Sequence, residues 1–292
     1  MTGVVIALVA ALAWACSSTI LKYLSSRIDA ITVNAIRLWV GSIIIVSLIL
    51  LSGHNANILQ THLWSILLVA ASGILSAAIG DTIYIRSLSY LDVSRAYPIS
   101  QSMFPVATLI LAVFLLNESF TWFNILGMAI ILAGILMIVS NSRTSQMRKI
   151  SVKGIALALL AALLWAIGAT VLKFGLQEVD PYLAVAIRNV TSALILTGLV
   201  YKLKSADGLN LKRFNTRTLI LVVLAGLLTY GIGATGYVMA IHLIGAGKTV
   251  FLGATAPIFL LPLSVLFLKE RLSPLALAGV LAAIAGICLI AL

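Results

Sequence analysis

Ten apolar stretches, each about as long as a membrane-spanning helix, alternate with short polar connections along the chain. A helix rises about 1.5 Å per residue, so roughly 20 residues cross the hydrocarbon core of a bilayer. Backbone groups in hydrocarbon must bond to one another, which predicts that these stretches are helices. They fall at about 3–21, 31–51, 63–86, 96–116, 122–140, 154–172, 182–201, 218–241, 249–268 and 274–292. The pattern predicts an all-α integral membrane protein with ten transmembrane helices.

The second half of the chain repeats the first. A shift of 151 residues lays 3–37 on 154–188 without a gap, and fifteen of those 35 positions are identical. Further on, the repeat pairs Gly80 with Gly233, Tyr84 with Tyr237, Pro105 with Pro257 and Glu118 with Glu270. Such internal repetition indicates a tandem duplication. We expect two five-helix repeats, at 1–141 and 154–292, joined by a basic linker loop at 142–153.

An odd number of spans in each repeat has a consequence for their orientation. The second repeat must enter the bilayer upside down relative to the first. Inverted repeats recur in secondary transporters, where two similar halves exchange conformations and open a midplane site to either side. A duplicated structural or signalling bundle is the alternative interpretation.

Composition agrees with a membrane protein and disfavours other classes. Apolar residues make up 62% of the chain and charged residues 9%, whereas a soluble domain has about 25% charged residues. The bilayer is therefore an expected partner, and the formal charge of +11 is better explained by basic loops than by nucleic acid. The two cysteines lie in apolar runs, the three histidines form no metal cluster, and there is no phosphate-binding glycine loop. We expect no cofactor, no metal and no direct use of ATP.

Basic residues are unevenly divided between the two sides of the predicted bundle. The connections opposite the two termini carry fifteen Lys and Arg residues, and the other side carries only Lys173 and Lys248. Basic loops are retained in the cytoplasm. Both termini are therefore predicted to lie outside the cytoplasm, in the plasma membrane of a prokaryote.

Several motifs occur once in each half. They are the openings around Trp14 and Trp165, the Ile-Arg pairs that end at Arg37 and Arg188, and the ends of the fourth helices at 115–121 and 267–273. A glycine-spaced fifth helix follows in each half. In these features each half resembles the EamA-type module of the drug/metabolite transporter superfamily.

The resemblance implies a ten-helix carrier with a central cavity between its halves, often one that exports amino acids or other metabolites. It also implies cytoplasmic termini and a basic second loop. Here the second loop, 52–62, has no Lys or Arg, while the seventh connection is basic. This departure favours reversed insertion.

Polar side chains that face the bundle interior are the candidates for solute contact, because a polar group facing lipid costs several kcal/mol. Trp14, Ser18 and Lys22 share one face of the first span, and Trp165 and Lys173 repeat that face in the sixth. A Trp can stack on an aromatic or cationic solute. The alternative is a packing or interfacial Trp.

Arg37 and Arg188 lie about 10 Å into the second and seventh spans at 1.5 Å per residue. We expect them to reach an interface, backbone carbonyls or the loop acids Asp29 and Asp180. The functional alternative is to hold a substrate carboxylate, for which the guanidinium fork is suited. Further polar atoms near this level come from Asn34 and Asn189.

Asp81 is the only acid well inside an apolar span, and its repeat partner is Ala234. An ionisable group in hydrocarbon is a functional candidate, as a proton carrier or as a partner for a substrate amine. A structural ion pair is the alternative. Tyr84 and Tyr237 lie one turn further on and are candidates for the same cavity wall.

Prolines in the fourth and ninth spans predict bends with a hinge role; they are Pro98, Pro105, Pro257 and Pro262. Paired interrupted helices point to a transport site, and kinks that serve packing alone are the alternative. Tyr97 and Gln101 share a face with Pro105 in the fourth span, and Thr255 lies beside Pro257 in the ninth.

Two doubled features are interpreted as architecture. Glu118 and Glu270 lie at helix ends, where we expect them to cap loops or to pair with basic groups. The glycines in the fifth and tenth spans are seven residues apart, so each pair lies on one face; they are Gly127 and Gly134, and Gly279 and Gly286. Small faces allow close helix packing, within a monomer or between the chains of a homodimer.

Together these features predict a secondary-active transporter, with export as the favoured direction, for a small organic metabolite such as an amino acid or amphipathic compound. We expect alternating access at a cavity lined by the first, third, fourth, sixth, eighth and ninth spans, driven by protons or by solute exchange. No residue set suggests an enzyme. The alternatives are a flippase for a lipid-linked small molecule and a non-transporting membrane assembly subunit.

Overall fold

The computed structural model describes residues 2–52, 61–116, 121–140, 151–204, 214–244, 249, 252–253, 255–271 and 273–290. The regular elements in these ranges are helices. In the first half they are α1 (Thr2–Leu24), α2 (Ala30–Leu51), α3 (Leu63–Gly73), α4 (Asp81–Ser87), α5 (Val93–Leu116) and α6 (Trp122–Ser140). In the second half they are α7 (Val152–Gly175), α8 (Pro181–Lys204), α9 (Thr216–Gly226), α10 (Thr235–Ile244), α11 (Ala256–Leu268) and α12 (Pro274–Ile290).

Among the described residues, six helical segments are long and apolar enough to cross a membrane: Thr2–Leu24, Ala30–Leu51, Leu63–Ser87, Val152–Gly175, Pro181–Leu203 and Thr216–Ala240. Shorter apolar helices cover Trp122–Ile138, Ala256–Leu268 and Pro274–Leu289. Large apolar side chains point outward, such as Phe114 at 77% exposure and Trp122 at 75%. Water would disfavour such a surface, whereas lipid accepts it. The protein is an all-helical integral membrane protein.

Two of the long segments contain a stretch of π-helix. The first π segment (Ile74–Gly80) joins α3 to α4, and the second π segment (Leu227–Ala234) joins α9 to α10. They occupy matching positions in the two halves. In a π-helix each N–H bonds to the carbonyl five residues back. Such segments are rare in proteins, and those that occur are often found at functional sites.

The prolines lie in helices that differ from the prediction. Helix α5 runs unbroken through Pro98 and Pro105, so the paired backbone irregularity is in the two π segments and not in this helix. Pro257 lies in the first turn of α11, where its missing N–H costs nothing, and Pro262 lies inside α11. Half of the predicted ninth span before Thr255, residues 250, 251 and 254, lies outside the described residues.

Polar side chains outside the spans fix several helix ends. Asp29, Ser151 and Asn215 each accept a hydrogen bond from a backbone N–H in the first turn of α2, α7 and α9. The Glu270 carboxylate reaches from the second half to α5 and accepts the N–H groups of Val93 at 2.9 Å and Ser94 at 3.0 Å. Burial raises the pKa of this carboxyl. The predicted capping role of Glu270 is confirmed, while Glu118 lies outside the described residues.

The two halves pack mainly against each other. Helix α2 packs on α8, α5 on α7, α6 on α12 and α1 on α11. The first π segment contacts α7 and α8, and the second contacts α1 and α2. The centre of the molecule is therefore built jointly by the two halves.

The glycine faces of α6 and α12 meet at backbone distance. A Cβ atom placed on Gly134 would lie 2.5 Å from the carbonyl oxygen of Gly279, and one on Gly286 would lie 2.6 Å from that of Gly127. Only glycine permits this approach. The predicted packing role is confirmed, and the packing is within one chain.

Replacing Gly279 with Ala should destabilise the protein by about 1–3 kcal/mol, because the new methyl group forces α6 and α12 apart. Thermal unfolding in detergent would show this as a lower midpoint. Gly198→Ala is the control, since a Cβ there meets nothing within 4 Å. Equal midpoints for the two variants would contradict the close packing.

Candidate functional site

A cavity of about 410 Å³ lies between the halves. Its wall includes residues from α1, α5 and α7, from both π-containing segments, and from α2 and α8. The predicted list of lining spans left out α2 and α8, although Arg37 and Arg188 on these helices were predicted as candidates. The predicted residues in the wall are Trp14, Ser18, Arg37, Asp81, Tyr84, Tyr97, Gln101, Pro105, Trp165, Arg188 and Tyr237. Their role in solute binding stays a prediction.

Asp81 is the centre of a polar network at the cavity wall. It begins α4, directly after the first π segment, and its side chain is 17% exposed. Trp165 Nε1 donates to Oδ1 at 2.8 Å, and the Tyr230 hydroxyl donates to Oδ2 at 2.6 Å. Arg37 Nη2 lies 3.9 Å from Oδ2. One carboxylate thus joins groups from both halves.

Arg37 is buried at 2% side-chain exposure. Its Nη1 donates to Asn34 Oδ1 at 3.1 Å and its Nη2 to Thr229 Oγ1 at 2.8 Å, while the Tyr230 ring centroid lies 5.2 Å from its Cζ. The ion pair of Arg37 is therefore with Asp81. The predicted loop acids serve elsewhere: Asp29 caps α2, and Asp180 accepts backbone N–H groups at the start of α8.

Asn34 explains how the first π segment is tolerated. The π geometry changes which carbonyls find partners along the helix, and buried carbonyls without a partner are costly. Asn34 Nδ2 donates to the carbonyls of Ala77 at 2.7 Å and Ala78 at 3.3 Å. Its Oδ1 accepts from Arg37, and the Tyr230 hydroxyl, which donates to Asp81, lies 3.2 Å from the same oxygen. Asn34 therefore lies behind the wall and supports the groups that form it.

Arg188 in the second half has a position like that of Arg37. Its Nη2 donates to Ser76 Oγ at 2.7 Å. Ser76 belongs to the first π segment, as Thr229 belongs to the second. Each arginine thus bonds to a hydroxyl in the π segment of the opposite half.

Aromatic rings form much of the remaining wall. Trp14 lies 5.4 Å from Tyr237 between ring centroids, and Trp165 lies 5.5 Å from Tyr84 and 6.4 Å from Phe104. Glycines at the ends of the π segments make room for the indoles, since a Cβ on Gly80 would lie 2.8 Å from Trp165 Cδ1. These faces suit an apolar or aromatic solute body.

Several predicted residues are not part of the wall in the described structure. Lys22 Nζ donates to the carbonyls of Leu88 at 2.7 Å and Leu91 at 2.6 Å, so it ties α1 to the end of α4. Lys173 is exposed near the end of α7. The Thr255 hydroxyl donates to the Leu252 carbonyl at 2.6 Å. The other predicted residues outside the wall are Asn34, Pro98, Pro257 and Pro262.

Sequence reasoning missed Tyr230, Thr229 and Ser76. The repeat contained a signal for the last two, because Ser76 and Thr229 are hydroxyl residues at the same offset that relates Gly80 to Gly233. The counterpart of Tyr230 in the first half is Ala77, so comparison of the two halves did not point to Tyr230. Its contact with Asp81 depends on how the halves cross.

Asp81→Ala should destabilise the protein by about 3–5 kcal/mol, because Arg37 would keep a buried charge without its carboxylate. Chemical or thermal unfolding in detergent measures the loss. Asp92→Ala is the control, because Asp92 lies 4.0 Å from Lys22 and Lys22 keeps its two carbonyl acceptors without it. We expect this control to lose about 1 kcal/mol of stability or less.

The double variant Arg37→Met/Asp81→Ala tests whether the two residues are coupled. It should lose about 1 kcal/mol less stability than the sum of the losses of the two single variants. Strict additivity would exclude a coupled pair.

Comparison with known proteins gives relatives over the whole length of the chain. A protein from Archaeoglobus fulgidus that is named an uncharacterized transporter is 26% identical over 293 residues, covering 100% of this chain and 99% of the relative. Protein LicB from Haemophilus influenzae is 26% identical over 224 residues, covering 75% of this chain and 73% of that protein. A solved crystal structure superposes with a TM-score of 0.69 at 17% identity, covering 99% of this chain and 96% of that one, and so shares the fold.

The family of EamA-like transporters matches the chain twice, at residues 1–140 and again at 152–292. Together the two matches span nearly all of the sequence. The helical structure has apolar segments long enough to cross a membrane, in agreement with that family. The chain belongs to the EamA-like transporter family, within the drug/metabolite transporter superfamily.

Proposed function

We propose that the protein is a secondary-active carrier that moves a small organic metabolite through the cavity between its halves by alternating access. The observation that carries this proposal is the cavity itself, whose polar centre is assembled from groups of both halves. A change in how the halves cross would alter the access to these groups. The family model that matches both halves is that of a transporter, in keeping with transport without chemistry.

The proposal includes ten spans arranged as two inverted five-helix repeats. Paired features support it: each half has one π segment and one arginine that bonds across to the π segment of the other half. Alternating access in inverted-repeat carriers uses such equivalence, because the two halves can exchange conformations.

Adding bulk to the cavity should stop transport without unfolding the protein. Ala169 lines the cavity on α7, whereas Leu163 on the same helix is 43% exposed on the outer surface. Ala169→Trp should reduce counterflow of labelled amino acids in proteoliposomes by about tenfold or more, since the added indole takes up space that the solute needs. Leu163→Trp should leave counterflow near the wild-type rate.

The same vesicles separate the competing functions. Saturable counterflow supports a carrier, whereas movement of lipid-anchored compounds alone would indicate a flippase.

A proton-coupled carrier should accumulate several-fold more labelled solute when a pH gradient is imposed across the vesicle membrane. If Asp81 carries the proton, Asp81→Asn should remove this dependence on the pH gradient. Gradient-independent counterflow would instead identify a solute exchanger. Absence of any movement would overturn the carrier proposal.

Orientation is a further part of the proposal. The distribution of basic residues favours termini outside the cytoplasm. A reporter that is active only in the cytoplasm should therefore stay silent when fused after residue 292 and should be active when inserted in the linker loop at 142–153. The reverse pattern of activity would restore the orientation usual in the family.

A further inference from the structure

The two cavity arginines are equivalent in the repeat but differ in their partners. Arg37 has three oxygen partners: Thr229 Oγ1 at 2.8 Å, Asn34 Oδ1 at 3.1 Å and the Asp81 carboxylate at 3.9 Å. Among the described residues, Arg188 keeps the first kind of contact alone, to Ser76 Oγ at 2.7 Å.

The missing partners of Arg188 follow from two substitutions between the halves. Val185 stands where Asn34 stands in the first half, and Ala234 stands where Asp81 stands. Both Val185 and Ala234 line the cavity. Beside Arg37, this repeat position holds the Asp81 carboxylate. Beside Arg188, the equivalent position is a small apolar surface of the cavity.

Within the part of the chain that the structure describes, no carboxylate lies within 4.0 Å of Arg188. Asp81 acts on Arg188 electrostatically from a longer distance. However, its two oxygens are already bonded by Trp165 and Tyr230 and paired with Arg37. Two guanidinium groups thus share one carboxylate, so the cavity holds one positive charge in excess.

An excess charge in an apolar enclosure favours binding of an opposite charge, because burial of an unpaired ion is costly. Among the described residues, Ser76 Oγ is the one hydrogen-bond acceptor of the Arg188 side chain. A guanidinium has five N–H donors, so Arg188 keeps donors that match the two oxygens of a carboxylate.

We infer that the transported solute is a monocarboxylate whose carboxylate binds Arg188 beside Ala234, in the space that corresponds to the Asp81 carboxylate of the first half. A single negative charge matches the single excess positive charge. The apolar or aromatic body of the solute packs on Trp14 and Tyr237. This inference rests on the carrier proposal and names the class of its substrate.

The test compares carboxylates with their uncharged primary amides, which have nearly the same size. Acetate, butyrate and phenylacetate are each paired with the corresponding amide, and binding to the purified full chain is measured by thermal shift and calorimetry. At least one carboxylate should bind about tenfold or more tightly than its amide, as expected for a charge-assisted hydrogen bond. Arg188→Gln should abolish that preference.

Ala234→Asp is the sharper variant, because it supplies Arg188 with an internal carboxylate equivalent to Asp81. It should also remove the preference for carboxylates, while Arg188→Gln and Ala234→Asp keep the wild-type helical content by circular dichroism. Lys173→Gln is the control for loss of a positive charge, since Lys173 is exposed and outside the cavity wall. It should keep the preference.

Three results would overturn the inference: no carboxylate preferred over its amide, a preference that survives in Arg188→Gln, or an equal loss in Lys173→Gln. These outcomes are distinct from failure of the carrier proposal. A protein that shows counterflow but binds amides and carboxylates equally is a carrier with another substrate class. A protein that prefers carboxylates but shows no counterflow binds them without transporting them.

Discussion

The central constraint on this structure is the buried guanidinium of Arg37, which must find oxygen acceptors within a chain that lies in lipid. Arg37 at 2% exposure would be too costly there without acceptors. Its acceptors come from its own helix, from Asp81 and from the second π segment of the opposite half. Pairing this one charge therefore sets the register of α2 against both neighbouring segments and determines where the cavity can form.

The two π segments follow from the same constraint. They turn Ser76 and Thr229 toward the arginines of the opposite halves, and the polar groups of Asn34 compensate carbonyls in the first segment. Glycines within these segments allow the indoles of Trp14 and Trp165 to pack against backbone. The polar centre and the aromatic wall are consequently parts of one arrangement.

The repeat, the apolar spans, the glycine faces of α6 and α12 and the exceptional position of Asp81 could be predicted because each depends on local pattern or on self-comparison. The partners of Asp81 could not. Trp165 and Tyr230 are 84 and 149 residues away from it, and their contacts arise only when the halves cross. The π segments were missed for a similar reason, since Asn34 stabilises the first one from another helix. Prolines drew attention to α5, but a helix whose freed carbonyls find neighbours can stay continuous through proline.

Each cavity arginine bonds to the π segment of the opposite half, and this arrangement has a consequence for how the sequences of the two halves could diverge. Each half supplies the hydroxyl that the arginine of the other half requires, so neither half could bury its own charge alone. In a homodimer of identical subunits, an acid at one position appears twice and both arginines are neutralised together. Fusion into one chain removes that identity. Asp81 could then be kept in one copy while its counterpart became Ala234, so that a symmetric scaffold acquired a cavity with unequal charge on its two sides.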